Sequence, residues 1–398
     1  MTPASLPALS GPEREHSHAL EMLLRERIAA AGGFLSFAQF MELALYAPGL
    51  GYYSAGAAKF GRSGDFLTAP EASDLFSRCV AEQCAQVLAG EGVEGGEILE
   101  LGAGTGRMAA VMLEQLVKLD ALPRRYSILE VSAELAARQR ERIAQLPAPL
   151  AARVRWLESW PEEKVRGVVL ANEVLDALPF ERFVMRGGAP HALGVGTDAG
   201  GALVLAEQPA GPALRTACDR LMSELGAVLP EGYSSEICLN LAPFVASLAA
   251  QLGEGIVLLF DYGLPRAHYY HPERSGGTLR CHFRHRAHDD ALAHPGLQDI
   301  TAWVDFTSVA EAAHASGLAV LGFATQAAFL LGTGIERQLA RSRDATEHAR
   351  LAGEARQLLL PGEMGEAFKV MALGREAMRG RETMPLAGFV HQDLRRQL

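Results

Sequence analysis

The residue types and spacing best suited to chemistry lie in Glu100-Leu-Gly102-Ala103-Gly104-Thr-Gly106-Arg107. Three alternate glycines follow an apolar run and precede a helical pattern. They let the backbone turn tightly and let a ligand approach it closely. The N–H groups that open the helix offer unpaired donors at the same place. Glu130 stands 24 residues beyond Gly106, at the end of the next apolar run. A carboxylate there can accept hydrogen bonds from both hydroxyls of a ribose. Loop and acid together predict a nucleoside cofactor. The dinucleotide fingerprint G-x-G-x-x-G needs a glycine at position 107; this chain has Arg107 there and Gly106 instead.

A second polar set follows a later apolar run, in Leu170-Ala-Asn172-Glu173-Val-Leu-Asp176-Ala-Leu-Pro179. Asn172 carries both donors and an acceptor in one amide. Glu173 and Asp176 are three apart on what reads as a starting turn, so their carboxylates project the same way. Such a pair suits a cationic group. It can hold a guanidinium by bidentate bonds and localise its charge, leaving one nitrogen as nucleophile. The plainer alternative is a helix N-terminus that carries acids for dipole reasons. Phe260-Asp261-Tyr262-Gly263 ends the next apolar run, with Asp261 as a further candidate or a simple turn cap. In the Gly-rich stretch 48–70, Tyr52, Tyr53 and Phe66 can wall a pocket, with Asp65 and Thr68 adding polar contacts. A structural loop closing over the sheet competes with that reading.

Histidines cluster late, at His268, His271, His282, His285, His288 and His294. His282-x-x-His285 can share one helix face in the manner of a metal site. No cysteine or carboxylate completes a known spacing, however, and Arg280, Arg284 and Arg286 repel a cation. The segment is expected to be a mobile polar loop without metal.

These residues need a scaffold that brings strand ends together. Helical patterns cover 14–31, 36–46 (with Ser36 as N-cap) and 73–88. From residue 97 the pattern alternates. Short apolar strands are expected at 98–101, 126–130, 154–156, 168–171, 256–260, 319–323 and 367–373, with helices over about 107–119 and 133–144. This alternation predicts an α/β fold with a doubly wound sheet and ligands at the carboxyl ends of its strands. The turn-rich, alternating stretch at about 181–207 reads as an inserted antiparallel hairpin. Three regions are expected along the chain: a helical region with the Gly-rich loop at 1–95, a core at 96–264, and a C-terminal region at 265–398 carrying a loop insertion and the last strands.

The 398 residues, 49% hydrophobic and 21% charged, have the balance of a globular protein and exclude a disordered or coiled-coil chain. A net charge of −10 lacks the cationic excess of a dedicated nucleic-acid binder. Five scattered cysteines with no CxxC read as reduced thiols of a cytosolic-type compartment. The first twenty residues contain Glu13 and Glu15 and no apolar core, so no secretory or transit peptide is expected. The apolar runs are too short or interrupted to span a bilayer. A cytoplasmic protein without membrane insertion is expected.

The spacing E-x-G-x-G-x-G resembles motif I of class I S-adenosylmethionine methyltransferases, where the loop runs under the amino-acid and ribose parts of the cofactor. A wider set carries a closer resemblance. Leu45-Tyr46…Gly51-Tyr52-Tyr53, Gly64-Asp65-Phe66-x-Thr68-Ala-Pro-Glu71, Asn172-Glu173-x-x-Asp176-Ala-Leu-Pro179, Asp261-Tyr262-Gly263, Asp299-Ile-Thr301-Ala-x-Val304-Asp305-Phe306 and Met364-Gly365-x-x-Phe368-Lys369-Val370 are similar to the MidA family over about residues 20–375. Those methyltransferases are the bacterial and mitochondrial relatives of a respiratory complex I assembly factor. The resemblance implies a class I methyltransferase fold, Rossmann-like, with a mostly parallel seven-stranded sheet and helical N-terminal additions. It implies S-adenosyl-L-methionine as cofactor and S-adenosyl-L-homocysteine as product. Glu100, Gly102, Ala103, Gly104, Gly106, Glu130 and Val131 would line the cofactor, with Asp65, Thr68 and Asn172 beside it. Asn172, Glu173, Asp176 and Asp261 would face the methyl-transfer site. The implied reaction is N-methylation of an arginine in a protein partner, by resemblance a complex I core subunit. A small-molecule methyltransferase and a cofactor-binding assembly factor without catalysis are the rivals.

Overall fold

The computed structural model describes residues 6–54, 68–90, 93, 95–375 and 385–398. It comprises two compact units, each gathered from separate stretches of chain. The first contains the described residues up to 66, Asp176–Leu241 and Arg266–Trp303. The second contains the described residues of 67–175, Ala242–Pro265 and those from Val304 onward. The consecutive division 1–95, 96–264 and 265–398 runs across both, because the chain leaves the second unit after Leu175 and after Pro265 and returns each time.

Among the described residues, the sheet of the second unit has, besides the two-residue strand Val304–Asp305 that pairs in parallel with Gly263 and Leu264, seven longer strands: β1 (Glu97–Leu101), β2 (Tyr126–Leu129), β3 (Val154–Leu157), β4 (Val165–Asn172), β5 (Leu252–Leu264), β6 (Leu318–Thr325) and β7 (Phe368–Arg375). They lie in the order β3-β2-β1-β4-β5-β7-β6. Every pairing from β3 to β5 is parallel, whereas β7 runs antiparallel to both β5 and β6. The sheet is thus the mostly parallel, doubly wound α/β sheet that the alternation predicted. β1 is buried at every position, and residues 256–260 of β5 are at most 1% exposed. Strands covered on both faces require that continuous apolar character. The helix Asp74–Leu88 starts at Ser73, whose hydroxyl accepts the Leu75 N–H. It lays Phe76 edge-on against Phe260, which meets Phe329 in turn, with centroids 5.3 and 5.2 Å apart.

In the first unit, the helices Gly11–Ala30 and Phe37–Tyr46 each begin with a capping box, the second at Ser36 as expected. Their apolar faces (Leu20, Leu24 and Ile28; Phe37, Phe40 and Leu45) form one core with Phe180, Val195 and Ile300. The inserted hairpin proves larger than the sequence suggested. Strands Glu181–Arg186, Ala189–Thr197 and Leu203–Pro209 form an antiparallel meander, extended by Ser234–Ile237 and by Leu35–Ser36. Two strands alone are marginal in water, and the added ones supply the missing pairing and burial. The His-rich segment, expected as a loop, is one only in part: His268 lies in the short helix Arg266–Tyr269, His271 and His294 lie outside helices and strands, and the stretch between them holds strands. Arg280–Phe283 and Arg286–His288 form a hairpin, joined by Asp299–Thr301 as a third strand. Arg284 and His285, at φ of 50° and 61°, make the two-residue turn that such a hairpin favours. Cys281 and Phe283 point into the buried side, and burial pushes the His282 imidazole down to about 4.

Among the described residues, no helix is long and apolar enough to cross a membrane.

Candidate active site

β1 lies between β2 and β4, so the chain leaves it toward one side of the sheet and later returns on the other. The carboxyl ends of β1 and β4 therefore mark the topological switch point, where open α/β sheets bind ligands. Beyond β1 the backbone passes through Gly102, Gly104 and Gly106 at φ of 61°, 53° and 77°. A side chain is strained in that left-handed region. Gly106 is the N-cap of the helix Arg107–Lys118, and its N–H donates to the Ala103 carbonyl at 2.8 Å. A Cβ on Gly104 would meet nothing within 4 Å, and one on Gly102 only Val174 at 3.6 Å. Open space thus lies beside the first two glycines.

Loop neighbours clamp it from two sides. The Arg107 guanidinium donates to Asp74 Oδ1 at 3.1 and 3.0 Å and to the Glu71 carbonyl at 2.7 Å. The Thr105 hydroxyl donates to the Glu71 carboxylate, and Arg142 Nε donates to the Thr105 carbonyl at 3.0 Å. On the other side, Gln139 Nε2 donates to the Gly104 carbonyl at 2.9 Å.

Glu130 follows β2 and is 8% exposed. Its carboxylate accepts the Ser132 N–H and Gln139 Nε2, both at 2.9 Å. Burial raises its affinity for a proton, and these donors partly offset that. Beside it, Val131 is 77% exposed, an apolar side chain left in solvent at the strand end. A glycine cradle with open space, an acceptor carboxylate and an uncovered apolar residue fit the adenosine and amino-acid parts of S-adenosylmethionine.

Glu100 stands apart from these groups. It is 2% exposed and receives the Tyr126 hydroxyl at 2.7 Å. Burial pushes its carboxyl up from 4.5 to about 7. The folded chain therefore holds this proton more tightly than the unfolded chain does. The resulting stabilisation is complete below pH 4.5 and is lost as pH rises through about 7. Urea titrations of wild type against Glu100→Gln should diverge over that interval by on the order of 2–3 kcal/mol. Parallel pH profiles would place the raised group elsewhere.

On the acceptor side no helix follows β4, so Glu173 and Asp176 do not share the starting turn that their spacing suggested. The backbone instead bends at Glu173, which adopts φ of 53° while its N–H donates to the Phe260 carbonyl at 2.8 Å. A non-glycine residue in that region stores strain, and such strain concentrates at functional positions. Asn172 ends β4, and its Nδ2 donates to Glu173 Oε1 at 3.1 Å. Its Oδ1 is buried and makes no hydrogen bond among the described residues.

Asp261, 1% exposed, accepts the Leu175 N–H at 2.9 Å and the Tyr262 N–H at 3.0 Å. Each carboxylate oxygen thus takes a backbone N–H, and the residue ties the segment after β4 to the end of β5.

Asp176 belongs to the first unit. Its carbonyl accepts the Ala302 N–H at 3.3 Å, and burial raises the Tyr53 phenol pKa, with Asp299, Tyr46 and then the Asp176 carboxylate adding to it. Tyr53 donates to Asp299 Oδ1 at 2.9 Å, stacks on Tyr46 at 5.5 Å and meets Tyr52 edge-on at 5.0 Å. Thr68 is the N-cap residue of the short helix Ala69–Ala72 without a side-chain cap bond. Asp65 and Phe66 lie outside the described residues.

Sequence reasoning passed over Gln139 and Trp156. Gln139 sits on the buried face Leu135, Ala136, Gln139 and Ile143 of the helix Ala133–Ile143. One amide on an apolar helical face was the available signal.

The family described as "Putative S-adenosyl-L-methionine-dependent methyltransferase" matches residues 79–324. A crystal structure of a Burkholderia thailandensis protein bound to S-adenosyl-homocysteine is 40% identical, covers 99% of this chain and 100% of its own, and superposes with a TM-score of 0.90. A native crystal structure from the same organism is 42% identical, with the same coverage and a TM-score of 0.89. The mitochondrial protein arginine methyltransferase NDUFAF7 of Danio rerio is 28% identical over 93% of this chain and 92% of its own. The sheet order, the glycine loop and these matches agree: the chain belongs to the MidA family of class I S-adenosyl-L-methionine-dependent methyltransferases.

Proposed function

We propose that this methyltransferase transfers a methyl group to a nitrogen of an arginine side chain in a protein. Our reading of the acceptor is a respiratory complex I subunit, as the family resemblance implies, met in a reducing, cytoplasmic-type compartment. The observation that carries the reading is the end of β4. There a buried Asn172 carbonyl oxygen that makes no hydrogen bond among the described residues stands beside Glu173, whose backbone is held in a strained conformation. An acceptor with N–H groups and positive charge gives the amide oxygen a donor and the carboxylate a counter-charge. Relatives named as protein arginine methyltransferases support the same class.

Gly102, Gly104 and Gly106 hold the amino-acid side of the cofactor in this reading, Glu130 accepts its ribose hydroxyls, and Val131 packs on its base. Bound there, S-adenosylmethionine supplies a sulfonium methyl and leaves as S-adenosylhomocysteine. A guanidinium has a pKa above about 12, so its nitrogen is not deprotonated in advance. Glu173 aligns it in line with the methyl carbon by charge-assisted bonds, and Asn172 Oδ1 accepts a second N–H. As the N–C bond forms and the C–S pair passes to sulfur, Glu173 takes the proton released from nitrogen. Glu100 and Asp261 act as supports beneath the loop and the acceptor segment.

The test incubates wild type and Gly104→Val with radiolabelled cofactor and lysate from a strain lacking this gene. A protein band labelled only by wild type, with methyl on arginine, is the expected result. Label only in small molecules would replace the reading with a small-molecule methyltransferase. No label despite cofactor binding would replace it with a binding role.

A further inference from the structure

Gln139 has no part in the proposed chemistry, yet it is 0% exposed and touches both halves of the cofactor cradle. Its Nε2 donates to the Gly104 carbonyl and to Glu130 Oε2, each at 2.9 Å. Its Oε1 accepts the indole N–H of Trp156 at 2.9 Å. A buried amide can flip by half a turn, exchanging donor for acceptor. Trp156 donates only, so the indole fixes which end faces the loop. The same residue packs its Cα and Cγ 3.2 Å from where a Cβ on Gly106 would stand. One side chain therefore links the turn after β1, the acid after β2 and the strand β3.

We propose that Gln139, oriented by Trp156, is a positioning residue for cofactor binding that fixes the glycine loop and the Glu130 carboxylate in one geometry. The proposal rests on the reading that Glu130 holds the ribose. Free of Gln139, the carboxylate would lose a donor to its ionised form and would take up a proton at higher pH. Among the described residues, the charged groups beside this network are Glu100 on β1, whose proton affinity the Glu130 charge raises; Arg142, bonded to the Thr105 carbonyl; and Arg140, 4.9 Å above the Trp156 ring. All three remain in the variants below.

The experiment measures S-adenosylmethionine affinity and turnover from acid to neutral pH for wild type, Gln139→Met, Trp156→Phe and Glu130→Gln, with unfolding midpoints alongside. Gln139→Met keeps the length and the packing on Gly106 while removing the donors. Its Kd should rise about tenfold, as expected for losing hydrogen bonds to a charged group. The rise should grow as pH falls, and kcat at saturating cofactor should stay near wild type. Trp156→Phe should show the same pattern at about threefold, because the amide survives without its orienting donor. Wild-type affinity in Gln139→Met overturns the proposal. So does a loss that is constant across pH and tracks the unfolding midpoint, which marks a structural residue only. If Glu130→Gln itself binds normally, the ribose reading fails. If Glu130→Gln binds weakly while Gln139→Met binds normally, only the positioning role fails.

Discussion

Glu173→Gln should lose turnover by about a hundredfold to a thousandfold, the scale set by removing a positioned acid–base group. Cofactor affinity should stay within about twofold of wild type, since the change touches no residue of the glycine cradle. The substitution preserves length, the backbone bond to the Phe260 carbonyl and an oxygen that can accept Asn172 Nδ2. Only the charge goes. A second variant separates function from folding. Glu173 adopts φ of 53°, where glycine is at ease and a side chain costs roughly 1–2 kcal/mol. Glu173→Gly should therefore be inactive yet at least as stable as wild type in urea. Steady-state kinetics, cofactor titration and unfolding read these three quantities. Equal losses of turnover and cofactor affinity in Glu173→Gln would remove Glu173 from the acceptor side. An active Glu173→Gly would remove the carboxylate from the chemistry altogether.

The parts of this site that were legible in the sequence are those with local causes. β1 is an apolar run bounded by glycines, Glu130 closes the next such run, and Ser36 announces its helix through a capping box with Gln39. Each signal lies within a few residues of the structure it produces. The remainder depends on partners far away in sequence. Gln139 meets Gly104 from 35 residues away and Trp156 from 17, so its place on an apolar helical face marks it as buried but does not name its partners. Arg107 registered only as the residue that breaks a dinucleotide pattern, whereas it anchors the loop to Asp74, 33 residues earlier. Glu173 gives no hint of its left-handed backbone because glutamate carries no such preference. Asp261 has the type and place of a site residue, and only the geometry assigns its oxygens to the N–H groups of Leu175 and Tyr262. The inserted sheet exceeds its sequence pattern because two of its strands lie outside that stretch: Ser234–Ile237, and Leu35–Ser36, which is two residues long and reads as part of a helix cap.

Gly106→Val should abolish cofactor binding at any practical concentration, a loss of more than about a hundredfold in Kd, since it combines two costs of roughly 1–3 kcal/mol each. The first is torsional. Gly106 holds φ of 77°, where a β-branched side chain is a genuine outlier. The second is steric. A Cβ at that position would lie 3.2 Å from Gln139 Cα and 3.3 Å from its Cβ, and the two extra methyl groups of valine make relief harder. The helix Ala133–Ile143 would have to withdraw, carrying with it the donor that holds both the Gly104 carbonyl and Glu130. Gly104→Ala isolates the torsional cost: φ is 53° there, with nothing within 4 Å of the new Cβ. That variant should weaken binding by only about tenfold. Calorimetric titration with S-adenosylmethionine compares the two directly. If Gly106→Val binds as well as Gly104→Ala does, the close approach of the helix to the loop contributes nothing to the cradle. The third glycine would then serve backbone conformation alone.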